Sequence, residues 1–119
     1  MTDNVQKTDY GYEIKWADHE EYCGKILVFE KANVPTTISF YEKTKRSWFV
    51  NAGEFKVFYI DTSDGSHYEA ELKEGNTFDI PALMPVSLTA KVANSSVTQV
   101  GTKNQNDLKL LGMQNAKSS

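Results

Sequence analysis

At 119 residues, 24% charged and 39% hydrophobic, the chain holds enough apolar surface for one core, too little for two, and too much to stay disordered. A net charge of −3 with scattered lysines offers no basic face to displace counterions from phosphates, which excludes nucleic acid as an expected partner. No apolar run approaches the roughly 18 residues that cross a bilayer. The start MTDNVQKTDY lacks an apolar signal core, and the single Cys23 suits a reducing compartment, so a cytoplasmic location without membrane association is expected.

In chain order, residues 1–9 are polar and without period and read as a flexible N-terminus. Runs rich in aromatic and β-branched residues follow, at Tyr10–Ala17, Tyr22–Phe29, Thr36–Tyr41, Trp48–Asn51 and Phe55–Ile60. Asp64-Gly65 supplies the positive φ of a hairpin, after which come His67–Leu72, Thr77–Ile80, Val86–Val92 and Ser96–Gly101. Asp107–Leu111 fits a short closing strand or one helical turn, and 113–119 is a polar tail, which leaves 10–112 as one domain. Short strands at spacings of about 8–12 residues, with turn residues between and no sustained helical period, predict an all-β sandwich or barrel. Phe55–Ile60 is apolar on both faces, so a second layer must cover it, and in a chain this small that layer points to a homodimer. Asn94-Ser95-Ser96 matches a glycosylation sequon, read here as chance.

Tyr10-Gly11-Tyr12-Glu13 and Tyr22-Cys23-Gly24-Lys25-Ile26-Leu27 resemble the opening strands of the cupin superfamily, in particular the small sugar-phosphate cupins of the phosphomannose isomerase type. The resemblance runs from Tyr10 to about Leu111 and implies a double-stranded β-helix, or jelly-roll barrel. Counting back through the first cupin motif from Gly53 gives Arg46, Tyr41, Ser39 and Asn33, and counting through the second from Gly75 gives Pro81, Leu83, Val86 and Ala90. The spacings are kept, as are Gly53, Gly75 and Pro81, and Trp48 stands where the subgroup has a tryptophan. The metal-binding positions are not kept. Ser39, Tyr41, Arg46 and Val86 replace the Gln or His, His, Glu and His that the resemblance would supply. A divalent cation wants imidazole or carboxylate donors; Val86 has none, and Arg46 brings a positive charge. The resemblance with these replacements implies no metal and no cofactor, and metal-dependent cupin catalysis goes with them. Asn33 tolerates the left-handed geometry of the glycine it replaces, whereas Leu83 in another glycine position suggests a rebuilt turn.

Strand alternation puts Ser39, Tyr41, Arg46, Trp48 and Val50 on one face and Phe40, Ser47 and Phe49 on the other. The family register turns the first set into the barrel and the second toward a covering sheet or subunit. A buried guanidinium must be answered, either by an internal carboxylate (Glu13, Glu54 or Asp79), by water at the barrel mouth, or by an anionic ligand. In the last case Ser39, Tyr41, Arg46 and Trp48 are the ligand-binding candidates, with hydroxyls beside a fork of donors suited to phosphate or carboxylate and an indole on which a sugar could stack. Lysines in the turn Glu42–Lys45 would help to attract an anion. His19 and His67 lie at turns and Cys23 among core residues, so none has an expected catalytic role. Three readings stay open: a metal-free binding module for a small anionic or sugar-phosphate-like ligand, a sugar-phosphate isomerase or epimerase working without the usual metal, and a non-catalytic cupin with a structural or interaction role. Metal-free cupin epimerases rely on a histidine base, and no histidine occupies the motif here.

Overall fold

The computed structural model describes residues 4–102 and 108–113. These form β1 (Val5–Lys7), β2 (Gly11–Asp18), β3 (Tyr22–Phe29), β4 (Thr37–Tyr41), β5 (Arg46–Ala52), β6 (Glu54–Ile60), β7 (His67–Lys73), β8 (Thr77–Ile80), β9 (Val86–Ala90), β10 (Ser95–Thr102) and β11 (Leu108–Met113). They make a six-stranded sheet in the order β1-β2-β3-β10-β5-β8 and a five-stranded sheet in the order β11-β4-β9-β6-β7. Every pairing is antiparallel. No described helix is long and apolar enough to cross a membrane.

The period of two decides which side chains meet between the sheets. Along β5, Arg46, Trp48 and Val50 are buried while Ser47 and Phe49 are exposed. Along β6, Phe55 and Val57 are buried. The center of the core, with no exposure at all, is Phe29 from β3, Val50 from β5, Phe55 and Val57 from β6, Leu88 from β9 and Val97 from β10. Each such side chain contributes about 1.5–3 kcal/mol by leaving water.

Two details depart from the sequence reading, and one alternative it left open is resolved. The segment 1–9 contains a strand, β1, whose residues Val5 and Lys7 pair with Ile14 and Tyr12. Three exposed residues on a sheet edge gain backbone hydrogen bonds without a buried face, so no hydrophobic period announces them. Strand β5 begins at Arg46 rather than Trp48. Of the two alternatives for the segment after 107, the closing strand holds, with Leu108 opposite Tyr41, and it reaches Met113; Asp107 and the tail 114–119 lie outside the described residues.

The turns carry the motif spacing. Asn33, Gly53, Gly75 and Leu83, the glycine positions counted above, all have left-handed φ, at 65°, 87°, 88° and 71°. Gly53 has a second reason to lack a side chain, because a Cβ there would collide with the Ser95 hydroxymethyl group. Leu83 corrects the expectation of a rebuilt turn: the turn keeps its left-handed residue and places a leucine in it. The Leu83 N–H donates to the Tyr41 carbonyl at 2.7 Å, tying this loop to the end of β4, and its side chain is 52% exposed. A leucine in this region costs about 1–2 kcal/mol against an ordinary conformation. Leu83→Gly is therefore expected to raise unfolding stability by about 1 kcal/mol in urea titration. A loss of stability would show that Leu83 makes contacts that outweigh its backbone strain.

Candidate functional site

Strands β4, β5 and β9 bring Ser39, Tyr41, Arg46 and Val86 to the wall of one cavity of about 150 Å³, together with Trp48. Ser39 lies directly across the ladder from Val86, and the Arg46 guanidinium carbon sits 4.7 Å from the centroid of the Tyr41 ring. The four positions found by counting thus converge in space. Val86 has joined the hydrophobic core at 2% exposure.

Arg46 is 8% exposed, and its Nε and Nη2 are buried without a hydrogen-bond partner among the described residues. No described carboxylate forms an ion pair with it. The internal partners considered from the sequence are engaged elsewhere or turned to water. Glu13 takes a hydrogen bond from Tyr10 Oη at 2.7 Å and one from Lys25 Nζ at 3.3 Å. Asp79 accepts from Ser47 Oγ at 2.8 Å on the outward side of β5, and Glu54 is exposed. The guanidinium is instead flanked by π-faces, Tyr41 at 4.7 Å and Trp48 at 5.8 Å, each contact worth about 0.5–2 kcal/mol. Gly101 on β10 leaves room for its stem, since a Cβ there would approach Arg46 Cγ to 3.2 Å. Burial lowers the pKa of Arg46 from its ordinary value, and the electrostatic interaction with Tyr41 partly opposes that shift. Tyr41 and Trp48 ease the burial of the charge but accept no N–H.

The other end of the cavity holds Tyr10, Glu13 and Lys25. Tyr10 is stacked on Phe29 with centroids 4.1 Å apart, and burial, then the Glu13 charge, pushes its phenol pKa far above the ordinary 10.0. Sequence reasoning considered Glu13 only as a partner for Arg46 and passed over Tyr10 and Lys25. The signal available was a carboxylate at an inward position of β2, with Lys25 two residues before its ladder partner Leu27 on β3.

Trp48 is 3% exposed and buried on several sides. Its Nε1 donates to Gln99 Oε1 at 2.8 Å, its ring stacks on Phe78 with centroids 6.2 Å apart, and Arg46 lies nearby. It lines the cavity as part of a packed wall, not as an open platform. His19 and His67 are exposed, Cys23 is buried, and in the turn after β4 Glu42, Lys43 and Lys45 are exposed while Thr44 is buried. A divalent metal does not fit the four motif side chains. They offer two neutral hydroxyls, an alkyl group and a cation, and among the described residues no group of three or more His, Cys, Asp and Glu could hold an ion.

No protein-family model and no curated protein sequence matches the chain. Solved structures do match it in fold. A mutant oxalate decarboxylase of Bacillus subtilis superposes with a TM-score of 0.79 at 16% identity over 90% of this chain and 30% of that one. The capsular polysaccharide assembling protein CapF of Staphylococcus aureus gives 0.76 at 13% over 92% and 34%. KdgF from Halomonas sp. gives 0.68 at 18% over 87% and 88%. The chain spans about a third of the length of the first two and nearly the whole of the third. These are cupin-fold proteins, and the two-sheet barrel described above is the cupin fold.

Replacing a buried, unanswered charge by an apolar side chain of similar length is commonly neutral or stabilising by about 1–4 kcal/mol. Arg46→Met is therefore expected to unfold at equal or higher denaturant concentration than the unsubstituted protein in anion-free buffer. A loss of several kcal/mol would reveal a partner that holds Arg46 in the free protein.

Proposed function

We propose that this chain is a metal-free cupin domain that binds a small anionic, sugar-phosphate-like ligand inside its barrel, with Arg46 in the role of a fixed cation. The observation that carries this reading is the pair of buried, unpartnered N–H groups on Arg46. Leaving such groups unsatisfied costs several kcal/mol, and an oxygen pair on phosphate or carboxylate answers both at once in the bidentate geometry that a guanidinium favours. Ser39 and Tyr41, on the same wall, supply hydroxyls for further anion oxygens. A barrel filled by its own side chains would leave no space beside Arg46, yet about 150 Å³ remains, room for about five waters. The similarity of the opening strands to the phosphomannose isomerase type supports a sugar phosphate over other anions, and the single buried Cys23 supports a cytoplasmic setting. Titration calorimetry with inorganic phosphate and a hexose monophosphate is expected to show saturable binding. It should weaken at least about tenfold in Arg46→Met, since charge-assisted hydrogen bonds contribute ~1.5–3 kcal/mol each. Equal affinity in both proteins would overturn the reading.

We also propose a homodimer, on separate grounds. The register aligns Val5, Ile14, Ile26, Thr98, Phe49 and Thr77 in one uncharged row across all six strands of the larger sheet. Phe49 is 46% exposed, with Val5, Trp16 and Val100 also exposed on this sheet. The four longer strands present roughly 500 Å² in plan at ~4.8 Å spacing, the scale of one side of a standard interface, ~800 Å² per partner. With no charge in the row, a second copy can cover it without stranding one. Light scattering is expected to give twice the chain mass of 13.4 kDa, and Phe49→Lys to give the monomer. A monomeric unsubstituted protein at micromolar concentration would exclude this interface.

A further inference from the structure

The cavity beside Arg46 does not end at Glu13. Tyr10, Glu13, Thr36 and Thr37 line both this cavity and an outer cleft of about 250 Å³, which adds Thr8, Asp9 and Pro35. The two spaces differ in charge. In the inner one the Glu13 carboxylate is balanced by Lys25 at 3.3 Å, so Arg46 leaves one positive charge in excess. In the outer one Glu13 is the same Lys25-paired carboxylate, and the charged residue the cleft adds is Asp9, so its lining carries one negative charge in excess. The inner space is small: pockets that enclose whole ligands run to about 300–1,000 Å³. It takes an anionic head group, and the rest of a larger ligand passes Glu13 into the cleft. What meets it there is hydroxyl-rich. Thr36 Oγ1 accepts the Leu88 N–H at 3.0 Å, which leaves its own proton to donate.

Resting on the anion-binding reading, we infer that the site selects one-ended anions: molecules with a single phosphate or carboxylate for Arg46 and a neutral, hydroxylated body that lies between Thr36 and Asp9. A second negative charge at the far end would lie against Asp9, while the neighbouring cation, Lys25, is already engaged by Glu13. Phosphate and carboxylate share the chemistry that Arg46 recognises, so the ligand is a sugar monophosphate or a sugar acid.

The test is calorimetric titration of the full chain with matched pairs: a hexose 6-phosphate against the hexose 1,6-bisphosphate, and gluconate against glucarate, with inorganic phosphate as reference. In whichever pair binds, the one-ended member is expected to be tighter by about fivefold or more, the scale of one screened charge repulsion. Asp9 is exposed, so Asp9→Asn should fold normally, and it is expected to narrow that ratio by raising the affinity of the two-ended member. Binding confined to one pair supports the inference and identifies the head group. Two-ended members that bind as well as or better than their partners would overturn it while leaving the anion site standing. Failure of inorganic phosphate and of all four organic anions would overturn both.

Discussion

One buried guanidinium organises this barrel. Arg46 enters at the first residue of β5, and the alternation of that strand turns it inward with Trp48 and Val50. Once there it cannot be ignored energetically, because moving a charge out of water without full hydrogen bonding costs several kcal/mol. The surroundings reduce that cost without removing it. An aromatic series runs from Tyr59 through Phe78 to Trp48, with centroids 5.6 and 6.2 Å apart, and Tyr41 closes the other side of Arg46. Quadrupoles favour the charge but leave Nε and Nη2 unbonded.

The rest of the site fits the proposal that Arg46 serves as its fixed cation. Val86 sits in the core, where a metal would need a donor, and Ser39 faces it across the ladder. The turns that frame the site hold left-handed residues at Asn33 and Leu83 although neither is glycine. At Asn33 that substitution is mild, because a short polar side chain tolerates the conformation. At Leu83 it is strained, and the backbone hydrogen bond to Tyr41 holds the strained residue beside the wall it helps to shape. Local strain kept next to the proposed binding site belongs with pre-organisation: the hydrogen bond from Leu83 fixes the end of β4, which carries Tyr41.

The fold was largely legible because the signals were local. The strands from Tyr22 to Phe29 and from His67 onward could be read from alternating apolar residues and from Asp64-Gly65. The convergence of Ser39, Tyr41, Arg46 and Val86 could be read only through the resemblance to the cupin motifs, whose register converts sequence distance into spatial position. What escaped was set by partners far apart in the chain. β1 has no buried face to leave a pattern. The Tyr10–Glu13–Lys25 cluster depends on the pairing of β2 with β3 and on where Tyr10 swings its phenol. That Glu13 turns to Lys25 rather than to Arg46 follows from this pairing, and nothing in the order of residues announces it. Trp48, expected to offer a flat face, is instead enclosed by contacts with Phe78 and Gln99 that only the folded chain creates.

The Nε–H of Arg46 is the group that the whole account turns on, and it can be observed directly by nitrogen–proton correlation NMR with Arg46→Met as the assignment control. A buried, unbonded Nε–H is expected to give a persistent resonance in anion-free buffer that shifts saturably as phosphate is added, tracking the calorimetric binding curve. A resonance already in the range of a carboxylate-bonded guanidinium, and unmoved by saturating phosphate, would contradict it.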